Sequence, residues 1–179
     1  MNICIETERL ILRKFNNDDA SKLQEICGEQ YILKWMPDWG VSMEVRKEWL
    51  KALIEQYKSI DKENIRVCLA VTLKDNGKLI GMIAIQNKEE VNNETELAYF
   101  ITENLSNKGY ITEASKAITI WALNNFQLDY IIAIIEPDNV QSQRVIEKCG
   151  FIKQGTKHVV NTGEEYEKSY YYYRLYNKC

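Results

Sequence analysis

The sequence contains a single histidine and two prolines among its 179 residues, and no metal centre is expected of it. His158 falls on a run that reads as a closing strand and is taken as a surface or packing residue, not a ligand. The five cysteines, Cys4, Cys27, Cys68, Cys149 and Cys179, are odd in number and irregularly spaced, which fits reduced thiols better than a disulfide framework or a zinc site. Long apolar runs are missing too. No stretch approaches the roughly 18 residues of a membrane span, and Met1 to Arg9 carries charges where a signal peptide would be apolar. The expected compartment is therefore the cytosol, with no membrane partner. A positive excess is also absent: the formal charge is -3 and the pI about 5.4. Nonspecific nucleic-acid binding depends on cationic contacts to phosphate and is not expected, whereas a cationic or neutral acceptor suits the chain. Repeats, linkers and low-complexity segments are lacking, so residues 1–179 are read as one domain.

What is present is the balance of a globular chain, 45% hydrophobic and 27% charged. Arg9 to Phe15 alternates Leu10 and Leu12 with Arg9 and Arg13, the period of a half-buried strand. Asn17 to Asp19 offers a cap for a short amphipathic helix built on Ala20, Leu23 and Ile26 and stopped at Gly28. Ser42 can cap a second helix carrying Val45, Trp49, Leu50, Leu53, Ile54 and Tyr57. Between them lies the aromatic-rich segment Tyr31 to Gly40. Arg66 to Thr72 and Lys78 to Gln86 read as a hairpin turned at Asn76-Gly77, where both residues tolerate positive φ. A strand at Thr95 to Thr102, a helix from about Thr112 to Asn125 and an almost wholly apolar strand at Tyr130 to Glu136 form a strand, helix, strand unit. A helix over Val140 to Cys149 follows. Strands at Phe151 to Gly155, Lys157 to Val160 and Glu167 to Leu175, turned near Thr162 and Gly163, complete the reading. Tyr170 to Tyr173 is expected to alternate between core and surface, since no basic groove accompanies it for base stacking.

The polar loop Asn104 to Gly109 separates a strand from a helix start, a place where unpaired N–H groups and the helix dipole can hold a phosphate. Gly109 would allow close approach, Thr112 a hydroxyl and Lys108 a charge. The loop matches neither a P-loop nor a three-glycine dinucleotide fingerprint.

Set beside the run from Glu136 to Phe151, the pattern becomes more specific. Glu96 to Ile101, then Gly109, Tyr110, Ile111, Thr112, Glu113 and Ala114, then Asn139, Ser142, Glu147, Lys148, Gly150 and Phe151 resemble the GCN5-related N-acetyltransferase family, in particular its ribosomal-protein and small-molecule branch. With the Glu8, Arg9, Leu10, Leu12, Arg13 opening, the resemblance runs from about Thr7 to about Leu175. It implies an α/β (α+β) fold: a mixed, mostly antiparallel, twisted sheet of six to seven strands with about four flanking helices, whose fourth and fifth strands splay apart to admit the pantetheine arm of acetyl-CoA. It further implies that Tyr99, Phe100 and Ile101 meet that arm through open backbone groups, that Asn107, Lys108, Gly109, Tyr110, Ile111 and Thr112 cradle the pyrophosphate, and that Asn139 bonds the pantetheine with Ser142 near the sulfur. Three positions depart from the family pattern. Ser106 and Ile111 stand where Gln or Arg and a small residue are usual, and Ile146 occupies the place of a frequent tyrosine acid.

The expected reaction is direct attack of a primary amine on acetyl-CoA in a ternary complex, with no metal, on a monomer or homodimer. An amine of ordinary pKa near 10.4 is almost wholly protonated at neutral pH, so a base is useful. Glu96 is the candidate, directly or through a water; the alternative makes it a solvent-facing strand residue. A backbone N–H near Phe100 would meet the oxyanion. Ser142 would donate a proton to the thiolate, or is simply a first-turn helix residue. Trp35, Met36 and Trp39 fall where the family builds its acceptor pocket, with a loop packed on the core as the alternative. The rival function is a CoA-binding sensor or interaction module with weak catalysis.

Overall fold

The computed structural model describes residues 3–161 and 166–177. The turn expected at Thr162 and Gly163, and Cys179, lie outside the described residues. Among the described residues eight strands form one sheet: β1 (Cys4–Glu6), β2 (Leu10–Lys14), β3 (Arg66–Leu73), β4 (Leu79–Lys88), β5 (Glu94–Ile101), β6 (Tyr130–Ile135), β7 (Ile152–Val159) and β8 (Lys168–Tyr176), in the order β1-β2-β3-β4-β5-β6-β8-β7. Every neighbouring pair is antiparallel except β5 and β6. The helices are α1 (Ala20–Cys27), α2 (Gln30–Leu33), α3 (Met43–Gln56), α4 (Tyr110–Phe126) and α5 (Val140–Lys148).

The mixed, mostly antiparallel architecture matches the sequence reading, with one strand and one helix more than its upper figures. The extra elements are β1, only three residues long, and α2, only four. Neither is long enough to establish a period of its own. Residues 151–155 and 157–160, read as separate strands, are continuous as β7, which absorbs an irregularity between Lys153 and Gly155. The hairpin between β3 and β4 is present, but only Gly77 takes positive φ (69°), its N–H bonding the Leu73 carbonyl at 2.8 Å. Asn76 contributes through its side chain instead, accepting from Lys78 N at 3.0 Å.

Alternation along the strands divides the core between two faces of the sheet. Leu97 and Ile101 of β5 pack with Ile111, Ala114, Ile118 and Ala122 of α4 and Ile146 of α5. Phe100 points the other way, joining Leu23 and Ile26 of α1 and Leu50 and Leu53 of α3. Each such fully buried aliphatic side chain contributes about 1.5–3 kcal/mol. β6 is buried on both faces, as its apolar run implied: Ile131 and Ala133 belong to the α4 side and Ile132 to a third cluster with Val159, Tyr170 and Tyr172. Close packing also reaches the backbone. A methyl at Gly81 of β4 would run into the Phe100 carbonyl of β5.

Candidate active site

The two parallel strands hardly pair. β4 and β5 are in register from Gly81↔Ile101 to Lys88↔Glu94, whereas β5 and β6 share the single register Glu96↔Ile132. Beyond that point the C-terminal halves part. A cleft of about 520 Å³ opens there, lined by Glu96 to Ile101 of β5, Ala133 to Ile135 of β6, the start of α4 and the first turns of α5.

At one end of the cleft is the loop before α4. Asn107 (φ 59°) and Gly109 (φ 81°) are both left-handed, a conformation glycine adopts without cost and asparagine tolerates. Gly109 is the N-cap and provides no side chain. The first intrahelical bond runs from Glu113 N to the Gly109 carbonyl at 3.0 Å, so the N–H groups of Tyr110, Ile111 and Thr112 have no partner within the helix. α5 differs: Asn139 accepts from Ser142 N at 3.1 Å and caps its own helix. Of the two helix starts on the cleft, α4 has its amides open to an anion, where the helix dipole would add to the attraction.

At the other end stands Glu96, 7% exposed and hydrogen-bonded to Gln86. Burial is the main cause that pushes its carboxyl up, and Glu90 adds to this; Lys88 and the Gln86 bond oppose it, and the result is about 7. The solvent-facing alternative for Glu96 is thereby overturned. Gln86 and Lys88 border the cleft beside it.

The wall facing α5 is formed by the segment around α2. Trp39 stacks edge-on against Phe100 (5.0 Å between centroids) and Trp49 (5.3 Å), and its carbonyl accepts from Arg46 Nη2 at 2.6 Å. Arg46 is 3% exposed. Trp39 is therefore fixed by packing, as the second of the two alternatives has it, and also borders the cleft. Trp35 and Met36, both half-buried, line the same side. Tyr31 spans the mouth to Gln141 of α5 at 2.6 Å, and the Tyr99 hydroxyl donates to the Ser142 carbonyl at 3.3 Å. Burial pushes the Tyr99 phenol well up. Glu29 ties α2 to the end of β5, accepting from Thr102 Oγ1 at 2.5 Å and from Glu103 N at 2.7 Å.

Of the residues singled out in the sequence, Glu96, Tyr99, Phe100, Ile101, Asn107, Gly109, Tyr110, Ile111, Thr112, Asn139, Ser142, Trp35, Met36 and Trp39 all border this one cleft. Lys108 is exposed and does not; its carbonyl is engaged by Arg9 Nη1 at 3.1 Å. Ile111 is 8% exposed and packs in the core, so its bulk lies mostly inside the fold. Ile146 is fully buried. Sequence reading missed Arg46 and Gln86, because a cation within a helix stripe and an amide on a strand carry no local signature.

The family profile described as "Acetyltransferase (GNAT) domain" matches residues 9–152. The chain belongs to the GNAT acetyltransferase family. This GNAT chain is 32% identical over 169 residues to the uncharacterized N-acetyltransferase YnaD of Bacillus subtilis strain 168, covering 94% of each. Among solved structures it resembles a GNAT-family acetyltransferase from Bacillus anthracis, at 26% identity and a TM-score of 0.79 over 97% of this chain and 98% of the other. The same fold occurs in RimL, a ribosomal L7/L12 α-N-protein acetyltransferase solved in complex with coenzyme A, at 12% identity and a TM-score of 0.77 over 97% and 98% of the two chains. Family membership makes the GNAT chain an acyltransferase of the N-acetyltransferase class. Among its described residues no helix is long and apolar enough to cross a membrane, and no group of three or more His, Cys, Asp or Glu side chains is placed to hold a metal ion.

Proposed function

We propose that this protein transfers the acetyl group of acetyl-CoA to a primary amine, on a protein N-terminus or a small molecule, by direct attack in a ternary complex without a metal. The observation that carries this reading is the single cleft in which β5 and β6 part beyond Glu96↔Ile132, with uncapped amides at one end and a buried carboxyl at the other. The residues present fit the acyl donor. A glycine in the left-handed region leaves room at the phosphate end, and the open β5 edge from Tyr99 to Ile101 offers backbone partners for an extended amide-bearing arm.

In this reading the amides of Tyr110, Ile111 and Thr112 bind the pyrophosphate, with Asn107 shaping the turn. Asn139 and Ser142 border the pantetheine, and Ser142 stands by to return a proton to sulfur. Thiolate is a fair leaving group, with an ordinary thiol pKa near 8.5, so that donation adds little. Glu96 takes a proton from the ammonium form of the acceptor, directly or through water, and its carboxyl near 7 is matched to neutral pH. A main-chain N–H near Phe100 meets the developing oxyanion. Trp35, Met36 and Trp39 form the acceptor wall. Residues 1–179 act as one domain, as a monomer or homodimer, in the cytoplasm.

The test is a panel of amines with acetyl-CoA, following release of free thiol. Turnover with at least one amine is expected. The rival reading, a CoA-binding module with weak catalysis, rests on Ile146, whose buried apolar side chain stands in place of a family tyrosine acid. Tight CoA binding with no thiol release across the panel would favour it and overturn the transferase.

A further inference from the structure

We propose that Arg9 is a positioning residue for the anion end of the cleft, holding the Lys108–Gly109 turn in shape and cancelling the charge of Glu113 beside it. The inference rests on the acetyl-CoA reading above. Arg9 sits at the corner between β1 and β2, and its carbonyl accepts from Lys74 N at 2.9 Å, which fixes the corner to the β3–β4 turn. From there the side chain crosses to α4. Its Nε donates to Glu113 Oε2 at 2.7 Å, its Nη1 donates to the Lys108 carbonyl at 3.1 Å, and the guanidinium lies 4.4 Å from the centre of the Tyr110 ring. Its Nη2 comes within 3.4 Å of where a Cβ on Gly109 would be. One planar fork thus touches three of the four residues from Lys108 to Ile111 or their immediate space, a geometry a lysine cannot reproduce.

Electrostatics gives the contact a purpose beyond bracing. Glu113 lies in the first turn of α4, next to the open amides at which a pyrophosphate is to bind, with its carboxylate turned to Thr7 and Arg9. Two negative groups there repel each other, and the cost grows as water is excluded. Glu113 is nevertheless kept charged. Burial alone would raise its carboxyl, but hydrogen bonds from Thr7 and Arg9, with the Arg9 charge, outweigh that and hold it below the ordinary carboxylate range. Thr7 Oγ1 donates to Glu113 Oε1 at 2.6 Å and Arg9 N donates to the same oxygen at 2.8 Å. Glu113 therefore anchors the corner, and the Arg9 guanidinium offsets its charge. The side chains are 40% and 19% exposed, so solvent screens the pair only in part.

The test is calorimetric titration of the full chain with coenzyme A, alongside steady-state kinetics and thermal melts. Arg9→Gln is expected to raise the Kd and the KM for acetyl-CoA roughly tenfold, as an uncompensated carboxylate near a bound anion would, with kcat at saturation changed by less than about twofold. Arg9→Gln combined with Glu113→Gln should recover about threefold or more of the lost affinity, although its melting temperature stays lowered. A merely structural strut would not give that recovery. If Arg9→Gln does not fold, Arg9→Lys keeps the charge but loses the fork, and a Kd between wild type and tenfold weaker is expected. Wild-type Kd in Arg9→Gln or Arg9→Lys, or a double variant as weak as the single, overturns the inference. Failure of the wild-type protein itself to bind coenzyme A would overturn the acetyl-CoA reading, and this one with it.

Discussion

Glu96 stands opposite Ile132 at the one register where β5 and β6 meet, so its carboxyl lies at the fork of the split rather than along either arm. The strand below the fork closes the site off, and the strand above it opens toward the cleft. Burial at this junction brings the carboxyl to about 7. If it serves as the base, the wild-type rate should rise as the pH passes through about 7, and Glu96→Gln should lower the rate at neutral pH by roughly 100-fold. Raising the pH should partly rescue the variant, because more of the amine is then neutral without help. A variant with the wild-type rate and pH profile would remove Glu96 from the chemistry.

The same residue has a consequence for stability. Its carboxyl holds a proton more tightly in the folded state than its ordinary value near 4.5 allows in the unfolded chain, so the folded state takes up the extra proton between those limits. Stability from this group is fully present below about 4.5 and is lost as pH rises through about 7. Glu96→Gln should flatten that slope and raise the melting temperature at pH 8. Parallel melts of both proteins across pH 4.5 to 8 check it; identical slopes would refute the burial cost.

Gly109→Glu should abolish coenzyme A binding by calorimetry, since it sets bulk and negative charge where the pyrophosphate is placed and strains a backbone at φ 81°. Gly109→Asn separates the two causes. Asparagine tolerates the left-handed region, so this variant should keep most of the affinity. Unchanged binding by the Glu variant would place the phosphate elsewhere.

Gly81→Ala offers a different probe of the same wall. The added methyl meets the Phe100 carbonyl, and the cost of pushing β4 from β5 should be roughly 1–3 kcal/mol in denaturant titrations. Because Phe100 also carries Trp39, the acceptor KM should rise. A fully stable variant with normal KM would mean that the strands yield without strain.

Glu94 holds the closed end of the split. It accepts from Lys157 Nζ at 3.1 Å, from the Tyr172 hydroxyl at 2.5 Å and from Arg174 Nη2 at 3.3 Å, joining β5 to β7 and β8. Burial would raise its carboxyl, yet the hydrogen bonds from Tyr172 and Lys157 prevail and lower it. Its contribution is therefore present above about pH 4.5 and is lost on further acidification. Glu94→Gln should cost roughly 2 kcal/mol at neutral pH, read by chemical denaturation. No loss would assign the junction to the apolar contacts of Ile132 alone.

Much of this was legible in the sequence because it rests on local pattern. The double-sided burial of β6 was visible in its unbroken apolar run, and α5 in Asn139, its stripe and Gly150. The amide end of the cleft followed from Gly109, with the helix starting two residues before the expected Thr112. Long-range pairing left no such trace. Neither the partner of Arg9, 104 residues away in Glu113, nor the burial of Glu96 is encoded in neighbouring residues. Arg46 looked like one more charge between apolar positions of α3, and only the fold brings Trp39 and Trp49 around it. Lys108 illustrates the converse: its charge suggested an anion contact, but a turn with left-handed residues on both sides directs its side chain to solvent.

The placement of β8 between β6 and β7 has an implication for how the molecule is made. As the chain emerges during synthesis, β6 is complete some thirty residues before β8 exists, and until then one wall of the cleft is a bare strand edge with unpaired amides and carbonyls. The wall of the cleft formed by β6 is thus secured later in chain order than β6 itself. A chain lacking the residues from Lys168 onward would expose an adhesive edge on β6 beside the cleft.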